Sequence, residues 1–209
     1  AHARREWRRY AASDGSATDQ TITYTGAAIE ANAVDGDEHQ RRSWPDAGGG
    51  YRAAGWEYVR ELDLVGQAPR VAAEAVELLS APDLPAGVRT VVIDPSQLHL
   101  QVHESCGHPI ELDRVFGSEA SYAGTSFLTT DKLDAGFRYG SDLVTIVADA
   151  TLPGGLGTFG WDDEGVAAQA VPIVREGIFS GYLSSRETAP RIGRHSGGAM
   201  RADGYDRIP

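Results

Sequence analysis

Cysteine, long apolar runs and excess positive charge are all scarce in this 209-residue sequence. The single cysteine, Cys106, excludes an internal disulfide and is typical of a reducing compartment, so we expect a cytoplasmic protein. No apolar run approaches the roughly 20 residues that span a bilayer. The basic residues 2–9 are not followed by the apolar core of a signal peptide. We therefore expect no membrane partner.

The charge balance is acidic, with a formal net charge of −11 and a pI near 4.9. A protein of this sign repels phosphate backbones and anionic lipids, so nucleic acid is not expected as a partner either. Hydrophobic residues make up 41% of the chain, which is enough for a real core. The length allows one large domain or two small ones.

Strand-like and helix-like patterns are mixed along the chain, which predicts a mixed α/β (α+β) fold. Residues 21–34 and 39–44 are β-like and flank a turn, so we expect a hairpin. Apolar residues recur at helical spacing from Val65 to Ala81. Val88–Ile93 is predicted to be a short buried strand, and a helix is predicted to begin at Asp94-Pro95.

The predicted helix leads into an HExxxH motif, His103-Glu104-Ser105-Cys106-Gly107-His108. Neutral imidazoles bind divalent metals, most often zinc, and the glutamate is placed to accept a proton from metal-bound water. Metallopeptidases of the HExxH type have their ligands at i and i+4, whereas here they stand at i and i+5. On a regular helix they would lie roughly 140° apart. Because Gly107 and Pro109 both disfavour a regular helix, we predict a kink, π-bulge or helix end between Ser105 and Pro109.

Other side chains offer alternatives to this site. His99 stands four residues before His103, which is the ideal helical spacing for a ligand pair, but no glutamate follows it. His195 lies in a glycine-rich loop and could approach a substrate. Asp162-Asp163-Glu164 could bind a hard cation or form a solvated turn. The HExxxH segment itself could be a partly buried helix with two hydrogen-bonded histidines.

Several sequence motifs resemble those of the TldD/PmbA family of metallopeptidases, on the side of the metal-bearing TldD-type subunit. In order, they are LLSAPDLPAG, TVVIDP, HESCGHPIELD, VADATLPGGLGTFGWDDEG, IVREGIFSGYLSSRETAPRIG and RADGYDRIP. The resemblance covers residues 70–209 well and the earlier part weakly. It implies a zinc-dependent peptidase that cleaves unfolded or small peptides, and that forms a homodimer or pairs with a paralogous subunit.

The resemblance also implies roles for individual residues. His103 and His108 would be metal ligands, and Glu104 would be the catalytic acid/base. Glu111 and Asp113 are candidates to hold a ligand histidine in place, because outer carboxylates commonly fix the imidazole tautomer.

The family's third metal ligand is a cysteine in its C-terminal portion, and we expect that cysteine to lie outside this chain. Cys106, inside the motif, is a less favoured alternative. We accordingly divide the sequence into an incomplete β-rich part, residues 1–64, and an HExxxH-bearing part, residues 65–209, truncated before the C-terminal portion. The alternatives to an active peptidase are a non-catalytic partner or scaffold subunit and an inactive fragment.

Overall fold

The computed structural model of the chain describes residues 1–202, 204 and 207. It combines helices with antiparallel sheets, so the predicted α+β class is confirmed. The chain forms two compact units, residues 1–6 with 22–98 and residues 7–21 with 99–209. The division between residues 64 and 65 stays a prediction, and the end of the RADGYDRIP motif lies outside the described residues.

The first five strands form two sheets. They are β1 (His2–Ala11), β2 (Ala17–Ala27), β3 (Ile29–Asp35), β4 (Glu38–Trp44) and β5 (Gly50–Arg52). β2 is the central strand between β1 and β5. β3 and β4 form an antiparallel pair with Ile29 opposite Trp44 and Asp35 opposite Glu38, so the predicted hairpin is confirmed. The β-like run 21–34 is divided between β2 and β3.

The helices of the first unit are α1 (Trp56–Glu61) and α2 (Leu64–Leu78). The predicted long helix is therefore confirmed, and it packs on the β3–β4 hairpin. It begins where the Asp63 side chain accepts the Gly66 N–H. Val71 and Ala75, one helical turn apart, are both 1% exposed, because this face of the helix is buried.

The expected strand Val88–Ile93 does not form, and that prediction is wrong. Val88 and Val92 are fully exposed. A strand needs a neighbour to pair its N–H and C=O groups, and no strand of the described residues pairs with this segment. The next helix, α3 (Pro95–Val102), does begin as predicted. Its cap is Asp94, whose Oδ1 accepts the Ser96 N–H at 2.9 Å; this bond lowers the pKa of the Asp94 carboxyl.

The second unit packs a small sheet against the segment that follows α3. Its strands, in antiparallel pairs with β7 central, are β6 (Ile146–Asp149), β7 (Ala170–Arg175) and β8 (Ile178–Phe179). Its helices are α4 (Leu112–Val115) and 3-10 turns at His108–Ile110, Thr130–Lys132 and Ala189–Ile192. The core comprises Cys106, Ile110, Leu112, Leu128, Ile173, Val174, Phe179 and Tyr182. The HExxxH segment is thus joined to a sheet through its own buried residues. Among the described residues, none of the helices is both long and apolar enough to cross a bilayer.

Candidate metal centre

The HExxxH segment departs from a regular helix where the sequence predicted a distortion. His103–Gly107 form a π turn in which the His108 N–H donates to the His103 carbonyl, five residues back. A 3-10 turn follows at once. The predicted distortion between Ser105 and Pro109 is therefore confirmed. Gly107 keeps ordinary right-handed angles (φ −54°, ψ −58°), so the turn does not need a conformation that only glycine can adopt.

The π turn brings the two histidines of the motif together. Their ring centroids are 4.4 Å apart at an interplanar angle of 68°. One ligand atom from each of His103, Glu104 and His108 lies within 4.8 Å of the others. His103 and Glu104 are exposed and His108 is half-buried, so the three donors are accessible from solvent. Imidazole nitrogen and carboxylate oxygen are the donors that zinc accepts, and these residues therefore fit the metal that the resemblance implies.

Glu111 supports one of the two imidazoles. Its Oε2 lies 3.1 Å from Nδ1 of His108. A carboxylate there favours the neutral tautomer with its proton on Nδ1, which leaves Nε2 of His108 as the lone-pair donor. The same Oε2 lies 3.5 Å from Nε of Arg114, whose Nη2 is 3.0 Å from Glu119. Asp113 is exposed, and within the described residues its side chain has no hydrogen bond or ion pair. Glu111 therefore contacts a candidate ligand histidine and Asp113 does not, although the sequence made both residues candidates for that role.

Cys106 faces the core and not the histidines. It is 1% exposed and packs with Ile110, Leu112 and Phe179. Burial raises the pKa of its thiol, against a smaller opposing effect of a hydrogen bond with Tyr139. Metals bind the thiolate, so a buried thiol with a raised pKa is a poor ligand. No other His, Cys, Asp or Glu in the described part of the chain joins the three clustered donors.

Two residues that the sequence did not single out tie the motif to the rest of the unit. The Tyr139 hydroxyl donates to the Ser105 carbonyl at 2.8 Å. The Ser126 Oγ donates to the Pro109 carbonyl at 2.6 Å. Both partners are remote in sequence, so the motif gives no direct signal for them. The only local hint is Pro109, which lacks an N–H and so leaves a carbonyl in need of another donor.

The alternative candidates fall elsewhere. His99 is not part of the donor cluster. His195 lines a cavity of about 290 Å³ together with Arg175 and Arg194. Asp162 is 3% exposed, and its carboxylate accepts backbone N–H groups of Glu164, Val166 and Met200. This arrangement favours the turn over a cation site, because the carboxylate is engaged by donors of the chain itself.

The fold and site together define an α+β protein with a candidate centre for a divalent metal. The sequence profile of the PmbA/TldA metallopeptidase C-terminal domain matches residues 66–209. The chain therefore belongs to the PmbA/TldD metallopeptidase family.

Individual relatives agree with this assignment. A metalloprotease of Methanocaldococcus jannaschii is 38% identical over 133 residues, which is 64% of this chain and 28% of that protein. A metalloprotease of Methanothermobacter thermautotrophicus is 31% identical over 190 residues, 91% of this chain and 39% of that protein. The crystal structure of TldE from Thermococcus kodakarensis superposes with a TM-score of 0.61 at 18% identity, over 98% of this chain and 42% of that one. The last likeness concerns the fold alone. The chain spans less than half the length of each of these proteins.

Proposed function

We propose that the protein containing this chain is a zinc-dependent peptidase that hydrolyses unfolded or small peptides. The observation that carries the proposal is the convergence of His103, Glu104 and His108, whose ligand atoms lie within 4.8 Å of one another on the π turn. The names of the relatives support it, since they are called metalloproteases. Peptide hydrolysis needs ligands for a metal and a nearby base, and this turn offers both.

In this proposal the three residues of the cluster have distinct roles. His103 and His108 hold the zinc through imidazole nitrogens, and Glu111 keeps the His108 ring in the tautomer that presents Nε2. When bound, zinc lowers the pKa of water and polarises the scissile carbonyl. A carboxylate oxygen of Glu104 takes the proton of the attacking water and delivers it to the departing amine. The resemblance to the family implies that the third ligand is a cysteine outside these 209 residues.

We further propose a cytoplasmic protein that acts as a homodimer or together with a paralogous subunit. The presence of one cysteine in 209 residues supports the reducing compartment. The resemblance to the TldD-type subunit supports the pairing. Light scattering on the purified full-length protein, alone and mixed with a paralogous subunit from the same cell, distinguishes the two assemblies.

The test of the chemistry is Glu104→Gln in the full-length protein, with Asp113→Asn as a control that removes a nearby exposed carboxylate. We expect Glu104→Gln to keep its zinc and to lose at least about 100-fold in peptide cleavage, because general base catalysis contributes about 10²–10⁴. The control keeps both zinc and cleavage. Loss of zinc in Glu104→Gln would make Glu104 a ligand, and cleavage at the parent rate would remove it from the reaction. Absence of zinc from the parent protein would favour a non-catalytic partner subunit.

A further inference from the structure

Pro109, directly after the π turn, leaves the Ser105 carbonyl of the motif without its usual helical donor. In an α-helix, the Ser105 carbonyl would accept the N–H of residue 109. Residue 109 is proline, which has no N–H. The preceding N–H, that of His108, is already donated to the His103 carbonyl. An unpaired carbonyl beside a core costs free energy and favours any rearrangement of the turn that would expose it to water.

Tyr139 supplies the missing donor from another part of the chain. Its hydroxyl lies 2.8 Å from the Ser105 carbonyl oxygen. The residue is itself held at two points, since its N–H donates to the Gly177 carbonyl at 2.8 Å and its ring packs against the core of the second unit. Its ring also stacks on Phe127, with centroids 6.5 Å apart. These contacts fix the position of the Tyr139 side chain, and its hydroxyl is therefore held within hydrogen-bonding distance of the π turn.

We infer that Tyr139 is a positioning residue for the metal centre. Its hydroxyl replaces the N–H that Pro109 lacks and holds the π turn in the conformation that keeps His103 and His108 side by side. Without that bond, the Ser105 carbonyl must turn towards water, and the i, i+5 pairing that aligns the two imidazoles is weakened. The inference rests on the proposed function, because the alignment matters through the zinc that the two histidines hold.

Tyr182 offers a matched control for Tyr139. Its hydroxyl also donates to main-chain carbonyls, those of Leu128 at 2.7 Å and Thr129 at 3.0 Å. Burial raises the pKa of both phenols to about 12. Tyr182 belongs to the same core, but its hydroxyl bonds are to a loop outside the motif. Tyr139→Phe and Tyr182→Phe therefore each remove one phenolic hydroxyl from a comparable setting, and only the first removes a bond to the π turn.

The experiment measures zinc affinity and, separately, hydrogen exchange at the His108 N–H in the metal-free protein, both on the full-length chain. We expect Tyr139→Phe to weaken zinc binding about tenfold, the lower end for residues that orient a ligand. It should also speed His108 exchange about tenfold. Tyr182→Phe should leave both within about twofold of the parent, since its hydroxyl bonds lie outside the turn.

Three outcomes are decisive. Parent-like affinity and exchange in Tyr139→Phe overturn the inference. Equal effects in the two variants also overturn it, because they would mean a general loosening of the core. If the parent protein binds no zinc, the proposed function fails, and the exchange rate at His108 still decides whether Tyr139 holds the turn.

Discussion

Replacing Glu111 by alanine tests whether this residue supports the proposed zinc site by holding the His108 ring. The substitution should affect only the side chain, because main-chain hydrogen bonds on both sides of Glu111 hold its backbone. The Leu183 N–H donates to the Ile110 carbonyl at 2.9 Å, and the Leu112 N–H donates to the Leu183 carbonyl at 3.0 Å. Truncating the side chain therefore removes the 3.1 Å contact with Nδ1 of His108 and the 3.5 Å contact with Nε of Arg114, and we expect the chain path to stay unchanged.

The magnitude follows from that contact and its exposure. Loss of a group that orients a metal ligand typically weakens metal binding 10–100-fold, about 1.4–2.8 kcal/mol. The His108 and Glu111 side chains are 33% and 35% exposed, so water replaces part of the lost contact. We therefore expect about tenfold weaker zinc binding. The free energy of unfolding should fall by less than about 1 kcal/mol, because Arg114 keeps Glu119 at 3.0 Å.

The assay is a competition titration of zinc against a chelator, with Asp113→Ala as the control. Asp113 carries the same charge two residues away, but its side chain has no partner among the described residues. If Glu111 acts by fixing the tautomer of His108, zinc binding is weakened only in Glu111→Ala. A general loss of negative charge weakens both variants alike, and that result would refute the reasoning. So would a parent-like affinity in Glu111→Ala.

The remaining predictions concern the turn, the backbone and the buried phenols. Gly107→Ala should change zinc affinity less than about threefold, since the added Cβ meets no atom closer than 3.8 Å; a larger loss in the same titration would contradict this. Gly177→Ala should destabilise by about 3 kcal/mol in urea melts, because φ is +81° and the Cβ would lie 2.5 Å from a carbonyl oxygen. Gly193 has φ +69° but open space around its Cβ position, so Gly193→Ala should lower the free energy of unfolding by only about 1 kcal/mol. Equal losses in the two variants would show that the steric clash at Gly177 does not matter. Burial, the largest cause, raises the pKa of Tyr139 and Tyr182 to about 12. The unfolded chain loses these protons near pH 10, so stability should be intact below about pH 10 and fall towards about pH 12. In urea melts of the Tyr139→Phe/Tyr182→Phe double variant, the free energy of unfolding should fall less steeply between about pH 10 and about pH 12. A fall as steep as in the parent protein would contradict the prediction.

Local chemistry accounts for the features that the sequence predicted correctly. The α2 helix follows from apolar spacing and the β3–β4 hairpin from two β-like runs around a turn. The cap at Asp94 follows from an acid directly before Pro95. The distortion of the motif follows from the i, i+5 spacing with Pro109 at its end. In each case the interacting groups belong to one continuous stretch of the chain, so a local window of sequence contains the cause.

The sequence by itself thus determined the family resemblance, the candidate donors His103, Glu104 and His108, and a distortion of the helix between Ser105 and Pro109. Only the tertiary structure decided which way the other side chains face. It buried Cys106 in the core, set Glu111 rather than Asp113 against His108, and left the apolar segment Val88–Ile93 without a partner strand. The burial of Cys106 depends on groups far away in sequence, such as Phe179 and Tyr182 of the same core. The backbone on both sides of Glu111 is likewise held by Leu183. The Tyr139 phenol reaches Ser105 from 34 residues downstream. Burial, strand pairing and long-range hydrogen bonds arise only when distant segments of the chain pack together. No local pattern of residues encodes them.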